Sequence, residues 1–229
     1  MIVDPPLLTV RRSFPRADAS SLSALAGMQT GHLVDAMEGR GGLDAAIKPI
    51  DPQSAGFVGT ALTCETGPSD NLAIMGALAI AEPGDVIVAA SDGFAGTAVI
   101  GDNVAMMAKN RGVVALVTDG MARDRPGIVA AGLPVFARGV TPNSCMRSGP
   151  GRIGLPILCG GVAIDAGDVI VGDVDGVVVV PRGMLDRVIK RLAEVIEAER
   201  ALQARIAGGL GVLDAIEALM RSDRVRYLD

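Results

Sequence analysis

The sequence predicts an α/β fold, and three observations carry that prediction. Short runs rich in Val and Ile alternate with stretches of helical period along most of the chain. Residues 85–118 read as strand, loop, helix and strand, which is the order of a βαβ unit. A long amphipathic helix, about 184–207, follows the last strand. The chain has 229 residues, 49% hydrophobic and 21% charged, enough to bury one sizeable core. We therefore expect a single domain over 1–229, with an N-terminal arm at 1–19 and a C-terminal helical extension at 184–229.

The elements follow in order. Residues 1–19, rich in Pro and Arg, read as an irregular arm. Two short helices are expected near 20–28 and 30–38, and Gly39-Arg40-Gly41-Gly42-Leu43 as a loop. A strand at 57–64 precedes a helix at about 69–81, for which Ser69 is the expected N-cap. A strand at 85–90 leads through the Ser91–Gly96 loop to a helix over 102–112. A buried strand at 113–118 comes next, then a short helix near 124–131 and a strand near 134–137. Three more strands are expected at 156–164, 168–171 and 177–180. Gly-Asp-Val-Ile-Val occurs at both 84–88 and 167–171, each time followed by an Asp-Gly pair. Gly and Asp dominate turns, so we read this as one turn-strand-turn solution used twice, not as a solenoid repeat. The apolar stripe of the last helix runs Leu185, Val188, Ile189, Leu192, Val195, Ile196, Leu202, Ile206, and Glu199 falls on it. At 1.5 Å per residue that helix spans about 36 Å, long enough to reach over a neighbouring subunit.

The stretch Gly101–Asp124 carries most of the chemical information. Its helix travels about 15 Å outward at 1.5 Å per residue, and its strand travels back about 20 Å. Asp102, at the helix start, should therefore lie beside Arg123 and Asp124, which follow the strand. The free N–H groups of a helix N-terminus favour anions. In a parallel βαβ unit, Ser91–Gly96, Gly101–Met106 and Asp119–Asp124 should converge on one pocket at the carboxyl edge of the strands. Oxygen ligands from Asp102, Asp124 and Glu199 would suit Mg²⁺ or Mn²⁺, which keep several waters. The same spacing is also what a helix cap and a surface ion pair would give.

Other chemistries find less support. The net charge is −5 with 2% aromatics, so no stacking platform or basic stripe for nucleic acid exists. The three cysteines, Cys64, Cys145 and Cys159, form no C-x-x-C pair, and the chain has one histidine, His32. That argues against an N/S zinc site and against a Cys–His nucleophile, and it fits a reduced, cytoplasmic protein. Of the three lysines, Lys48, Lys109 and Lys190, none sits where a desolvated Schiff-base lysine is expected. Gly149-Pro150-Gly151-Arg152-Ile153-Gly154 matches no P-loop and reads as a turn, with Arg152 in reach of an anionic ligand. His32 reads as structural unless its helix faces the pocket. The N-terminus lacks the pattern of a signal peptide, and no apolar run approaches a membrane span.

These residues resemble a known family. Asp102, the twenty-residue gap and Arg123-Asp124 are similar to the D-x20-R-D pattern of the RraA-like superfamily, which includes the 4-hydroxy-4-methyl-2-oxoglutarate / 4-carboxy-4-hydroxy-2-oxoadipate aldolases. Val135–Pro142, Gly160-Gly161-Val162, Gly167–Pro181 and His32–Ala36, with Asp35, extend the resemblance over roughly residues 20–205. It implies a swivelling β/β/α sandwich like phosphohistidine domains, assembled as a trimer or dimer of trimers with the pocket between subunits. It implies a divalent-metal pyruvate aldolase acting on a 2-oxo diacid, with oxaloacetate decarboxylase activity. By the same resemblance, Asp124 would bind Mg²⁺ or Mn²⁺, and Asp102 would hold metal waters and Arg123. Arg123 would bind the 2-oxo acid, and the segment Gly101, Asn103, Val104, Ala105 and Met106 its carboxylate. Glu199 of a neighbouring subunit would complete the metal's outer shell. The family also contains regulators of RNase E, which bind protein and do not cleave substrates. Ile100 stands where the aldolases often carry a larger residue, and segment 143–153 is where substrate preference should reside.

Overall fold

The computed structural model describes residues 4–228. Met1–Val3, the start of the expected arm, and Asp229 lie outside the described residues. The chain divides into two compact units, one up to Leu192 and one from Ala193 onward.

In the first unit, the elements in chain order are β1 (Leu8–Val10), α1 (Ala19–Leu25), α2 (Thr30–Ala36), β2 (Lys48–Pro49), β3 (Phe57–Glu65), α3 (Leu72–Ile80), β4 (Asp85–Ala90), β5 (Ala98–Ile100) and α4 (Asp102–Asn110). Then come β6 (Ala115–Thr118), β7 (Met121–Ala122), α5 (Arg125–Ala131), β8 (Val135–Ala137), β9 (Gly139–Val140), β10 (Gly151–Ile153), β11 (Ile157–Cys159), β12 (Val162–Ile164), β13 (Val169–Asp173) and β14 (Gly176–Val180). The long helix α6 (Leu185–Ala207) begins in this unit.

The principal sheet runs β1-β10-β3-β4-β6-β8-β2. Along one edge, β3 pairs with two strands: its first half with β13, antiparallel, and its end with β10. β3, β4, β6 and β8 are mutually parallel, as the predicted βαβ unit requires. β4 is buried on both faces, and its side chains alternate between two cores. Ile87 and Ala89 join Leu62 and Leu116 on the side of α3, α4 and α5. Val86, Val88 and Ala90 join Ala61 and Val117, with Ile157, Ile170 and Val179 from the later strands. A period of two splitting one apolar run between two cores is what a sheet covered on both faces produces. The result is the β/β/α layering that the resemblance implies.

Three expectations change in detail. The strand expected over 156–164 is a hairpin, β11–β12. Gly160 and Gly161 form its tip with φ of 54° and 81°, the positive pair a two-residue hairpin turn needs. The Gly149–Gly154 turn supplies β10, on which the arm lays β1 in parallel. The arm is therefore not irregular throughout. Arg16 fastens it further with a two-pronged bond to the fully buried Asp85 carboxylate, at 2.9 and 3.0 Å. Ser69 does not cap α3: it sits at φ 60°, and Asn71 occupies the cap position.

In the second unit α6 continues and α7 (Asp214–Met220) follows, joined to it by an Arg205–Asp214 ion pair at 2.8 Å. Glu199 accepts a hydrogen bond from Gln203, one turn on, at 2.9 Å. No helix among the described residues is long and apolar enough to cross a membrane.

Candidate active site

The helix and strand ends meet as their lengths predicted, and a small parallel sheet joins them. β5 pairs with β7 and β7 with β9. The Arg123 N–H donates to the Ile100 carbonyl at 2.9 Å. This places Gly101, the N-cap of α4, directly beneath Arg123 and Asp124. A Cβ on Gly101 would lie 3.0 Å from Asp124 Oδ2 and 3.4 Å from Arg123 Nε. Glycine thus leaves room there for the two side chains, which a Cβ would press by a few tenths of an ångström, while its φ of −129° is open to any residue.

Asp124 adopts the left-handed conformation, φ 57° and ψ 41°. Its side chain caps none of the α5 N–H groups. Instead Oδ2 lies 3.2 Å from Arg123 Nε. Asp tolerates this backbone better than most residues, at a cost of about 1 kcal/mol or more. Arg123 is therefore paired with Asp124, and the pairing with Asp102 that the resemblance implies is not seen. Arg123 Nη1 also donates to Ser144 Oγ. Asp102 accepts from the Asn103 N–H at 2.6 Å and has no cationic partner among the described residues. Its position is set by Gly127 on α5, where a Cβ would lie 2.6 Å from both Asp102 Cβ and Oδ2.

These groups line one small cleft of about 70 Å³, open to solvent. Gly101, Asp102, Asn103, Val104, Arg123 and Asp124 share its lining with Asn71, Ser144, Cys145 and Arg147. The expected carboxylate-binding run is narrower than 101–106. The Ala105 N–H bonds back to the Gly101 carbonyl at 3.1 Å and its side chain is fully buried. Met106 is exposed and outside the lining. The donors left at this helix start are the N–H groups of Asp102 and Val104, because the Asn103 N–H is already engaged by the Asp102 carboxylate. Ser91–Gly96 does not join the cleft. Asp119 instead accepts from the Ser91 N–H at 2.7 Å and from its Oγ at 3.1 Å, tying the ends of β4 and β6 together. Arg152 also faces elsewhere, paired with Glu65 at 2.7 Å. His32 and Asp35 lie on α2, which packs on β13 and β14, and neither lines the cleft.

Burial pushes the Cys145 thiol pKa up, which keeps it protonated at neutral pH. This argues against a thiolate nucleophile in the cleft. The donor set does suit a hard cation. Asp102 and Asp124 offer two carboxylates, one without a counter-charge, and Mg²⁺ needs only one or two with water filling the rest. No cluster of three His, Cys, Asp or Glu side chains able to hold a metal occurs among the described residues. Asn71, Ser144 and Arg147 were not singled out by sequence. They arrive from segments far apart in the chain, and only the flagging of 143–153 pointed toward them.

The chain is 37% identical over 195 residues to a Halalkalibacterium halodurans protein named "Putative 4-hydroxy-4-methyl-2-oxoglutarate aldolase", covering 83% of this chain and 92% of that protein. Among solved structures, Streptomyces coelicolor RraAS2, described as an unusual member of the RNase ES inhibitor RraA protein family, matches with a TM-score of 0.74 and 26% identity over 83% of this chain and 100% of that one. An uncharacterized protein from Pseudomonas syringae pv. tomato matches with a TM-score of 0.73 and 28% identity over 86% of this chain and 96% of that one. The RraA-like family model, described as Aldolase/RraA, matches residues 30–179, and with Asp102, Arg123 and Asp124 gathered at one cleft inside that span, the chain belongs to the RraA-like family.

Proposed function

We propose that the protein is a divalent-metal pyruvate aldolase. It would cleave a 4-hydroxy-2-oxo diacid, such as 4-hydroxy-4-methyl-2-oxoglutarate or 4-carboxy-4-hydroxy-2-oxoadipate, and decarboxylate oxaloacetate as a second activity. The observation that carries this reading is the convergence of Asp102, Arg123 and Asp124 with the open N–H groups of α4 in one cleft. The aldolase name of the Halalkalibacterium relative supports a lyase of this kind.

Breaking the C3–C4 bond of such a substrate leaves the electron pair on the pyruvate fragment as an enolate. Losing carbon dioxide from oxaloacetate leaves the same enolate, so one site serves both reactions. The N–H groups of Asp102 and Val104 receive the C1 carboxylate, as helix N-termini do. Arg123 then faces the 2-oxo oxygen, adding positive charge where negative charge develops. Asp124 holds the guanidinium in that direction through its 3.2 Å contact. Asp102 Oδ2, the oxygen not engaged by Asn103, takes the C4 hydroxyl proton. Asp124 and Asp102 are the residues that would hold Mg²⁺ or Mn²⁺, which when bound polarises the 2-oxo group. The same reading includes assembly as a trimer or a dimer of trimers, with Glu199 of a neighbouring copy adding to the metal's surroundings.

The test is pyruvate release from 4-hydroxy-4-methyl-2-oxoglutarate, measured by a coupled assay with Mg²⁺ and again with EDTA. We expect turnover that EDTA abolishes and Mg²⁺ restores. Turnover indifferent to chelation would remove the metal from the mechanism, and no turnover of any 4-hydroxy-2-oxo diacid would remove the aldolase. The second reading is a non-catalytic binding module of the ribonuclease-inhibitor type, favoured by full coverage of the Streptomyces RraAS2 structure. Tight binding to a ribonuclease without turnover would select it.

A further inference from the structure

The cleft contains a second guanidinium that the mechanism above does not use. Arg147 is part of its lining. Its Nε donates to Asn71 Oδ1 at 3.2 Å. Asn71 is 5% exposed, and its own Nδ2 is spent on the Val99 carbonyl at 3.2 Å. That second bond fixes which end of the amide faces Arg147. The backbone on either side of Arg147 is equally constrained. The Met146 carbonyl accepts from the Asn71 N–H at 3.0 Å. The buried Asp70 carboxylate takes the N–H groups of Ser148 and Gly149 at 2.5 and 3.0 Å. Arg147 is therefore held in place by two buried polar side chains.

What is left over is charge. Arg123 has Asp124 as a counter-ion, but among the described residues Arg147 has no carboxylate partner, and its terminal nitrogens make no hydrogen bond. Both guanidinium groups lie close enough to Cys145 to pull its thiol pKa down, against the larger upward push of burial and the upward push of Asp70. The two cations thus act on one small region. A substrate with a single carboxylate would use the α4 N-terminus and Arg123 and leave the exposed Arg147 without a counter-charge. A second carboxylate would satisfy it.

We propose that Arg147, positioned by Asn71, is the specificity residue that receives the distal carboxylate of a diacid. The proposal rests on the aldolase reading for the pose of the substrate, but it can be measured without turnover. The probes are 2-oxoglutarate and pyruvate, which share the 2-oxo carboxylate and differ in the distal one, bound to the Mg²⁺-supplemented protein in a calorimeter. Arg147→Gln should weaken 2-oxoglutarate roughly 10- to 100-fold, the usual worth of a hydrogen bond to a charged group. Pyruvate affinity should stay within about two-fold, which also certifies that the variant is folded. Arg147→Lys should recover part of the loss, since a point charge replaces the fork. With a turned-over diacid, the loss should appear in KM and leave kcat nearly unchanged. Equal weakening of both ligands, or of neither, overturns the proposal. If the binding contrast holds and no diacid is cleaved, the aldolase reading falls and the role of Arg147 stands. If cleavage is found and the contrast is absent, the role of Arg147 falls and the aldolase stands.

Discussion

Gly127→Ala should damage catalysis from outside the cleft. The new methyl group would lie 2.6 Å from Asp102 Cβ and 2.6 Å from its Oδ2. Carbons pack at about 3.5–4.0 Å, so the overlap is roughly 1 Å. Because one of the two atoms is a Cβ, rotating the Asp102 side chain cannot relieve it, and α4 must move relative to α5. Two effects on stability oppose each other. Overpacking costs about 1–3 kcal/mol, whereas Ala in place of Gly within a helix gains about 1 kcal/mol. The net loss should therefore be about 0–2 kcal/mol, and the protein should remain folded. Catalysis has no such offset. A carboxylate misplaced by about 1 Å can cost on the order of 100-fold. The assay is coupled detection of pyruvate, read as kcat/KM, beside thermal unfolding of the same sample. A variant that unfolds normally and keeps kcat/KM within two-fold of the parent would refute the claim that Asp102 must sit where Gly127 allows it.

Three further outcomes follow from the structure. Arg123→Ala, which removes the cation proposed to face the 2-oxo oxygen, should lower kcat/KM by on the order of 100- to 1,000-fold in the same assay; a loss under ten-fold would take that role away. Arg16→Ala strands the fully buried Asp85 carboxylate with the Glu82 N–H, at 2.9 Å, as its remaining hydrogen-bond donor. Arg16 itself is partly exposed, so we expect a loss near the low end for a broken buried pair, about 3 kcal/mol, or about 6–12 °C in Tm by calorimetry. Asp18, hydrogen-bonded by Ser20 and then by the Ser21 N–H and Oγ at the start of α1, has its carboxyl lowered to about 2. A depressed folded pKa contributes stability above the ordinary value near pH 4, and that contribution is lost as pH falls toward 2. Asp18→Ala should flatten the Tm profile between about pH 4 and pH 2, and an unchanged acid limb would contradict it.

How much of this was legible depended on whether a feature was local. The βαβ unit could be read because β4, α4 and β6 are consecutive and each is long enough to show its period. The meeting of Asp102 with Arg123 and Asp124 followed from element lengths alone. The strands β5, β7 and β9 escaped because two or three residues carry no period, yet they set the register between Gly101 and Arg123. Arg147 and Asn71 were invisible for a different reason. They are 76 residues apart and come together only because β10 returns to the edge of β3. Gly127 looked like one glycine among the chain's 30. Nothing local distinguishes a glycine needed for close approach from one needed for a turn.

The left-handed backbone at Asp124 narrows what the position can become. Of the residues that tolerate that conformation, only Asp also carries a negative charge. Glu, its nearest chemical relative, keeps the charge but adds a methylene and meets the steric penalty of about 1–2 kcal/mol. Ala removes the charge and meets the same penalty, so its effect mixes two causes. Asn keeps both the shape and the backbone and removes only the charge. With residue 124 in the cation-holding role proposed above, an RraA-like chain drifting away from that role would have a low-barrier exit through Asn or Gly at this position. The identity of residue 124, read beside its backbone angle, should mark which branches of the fold have taken that exit.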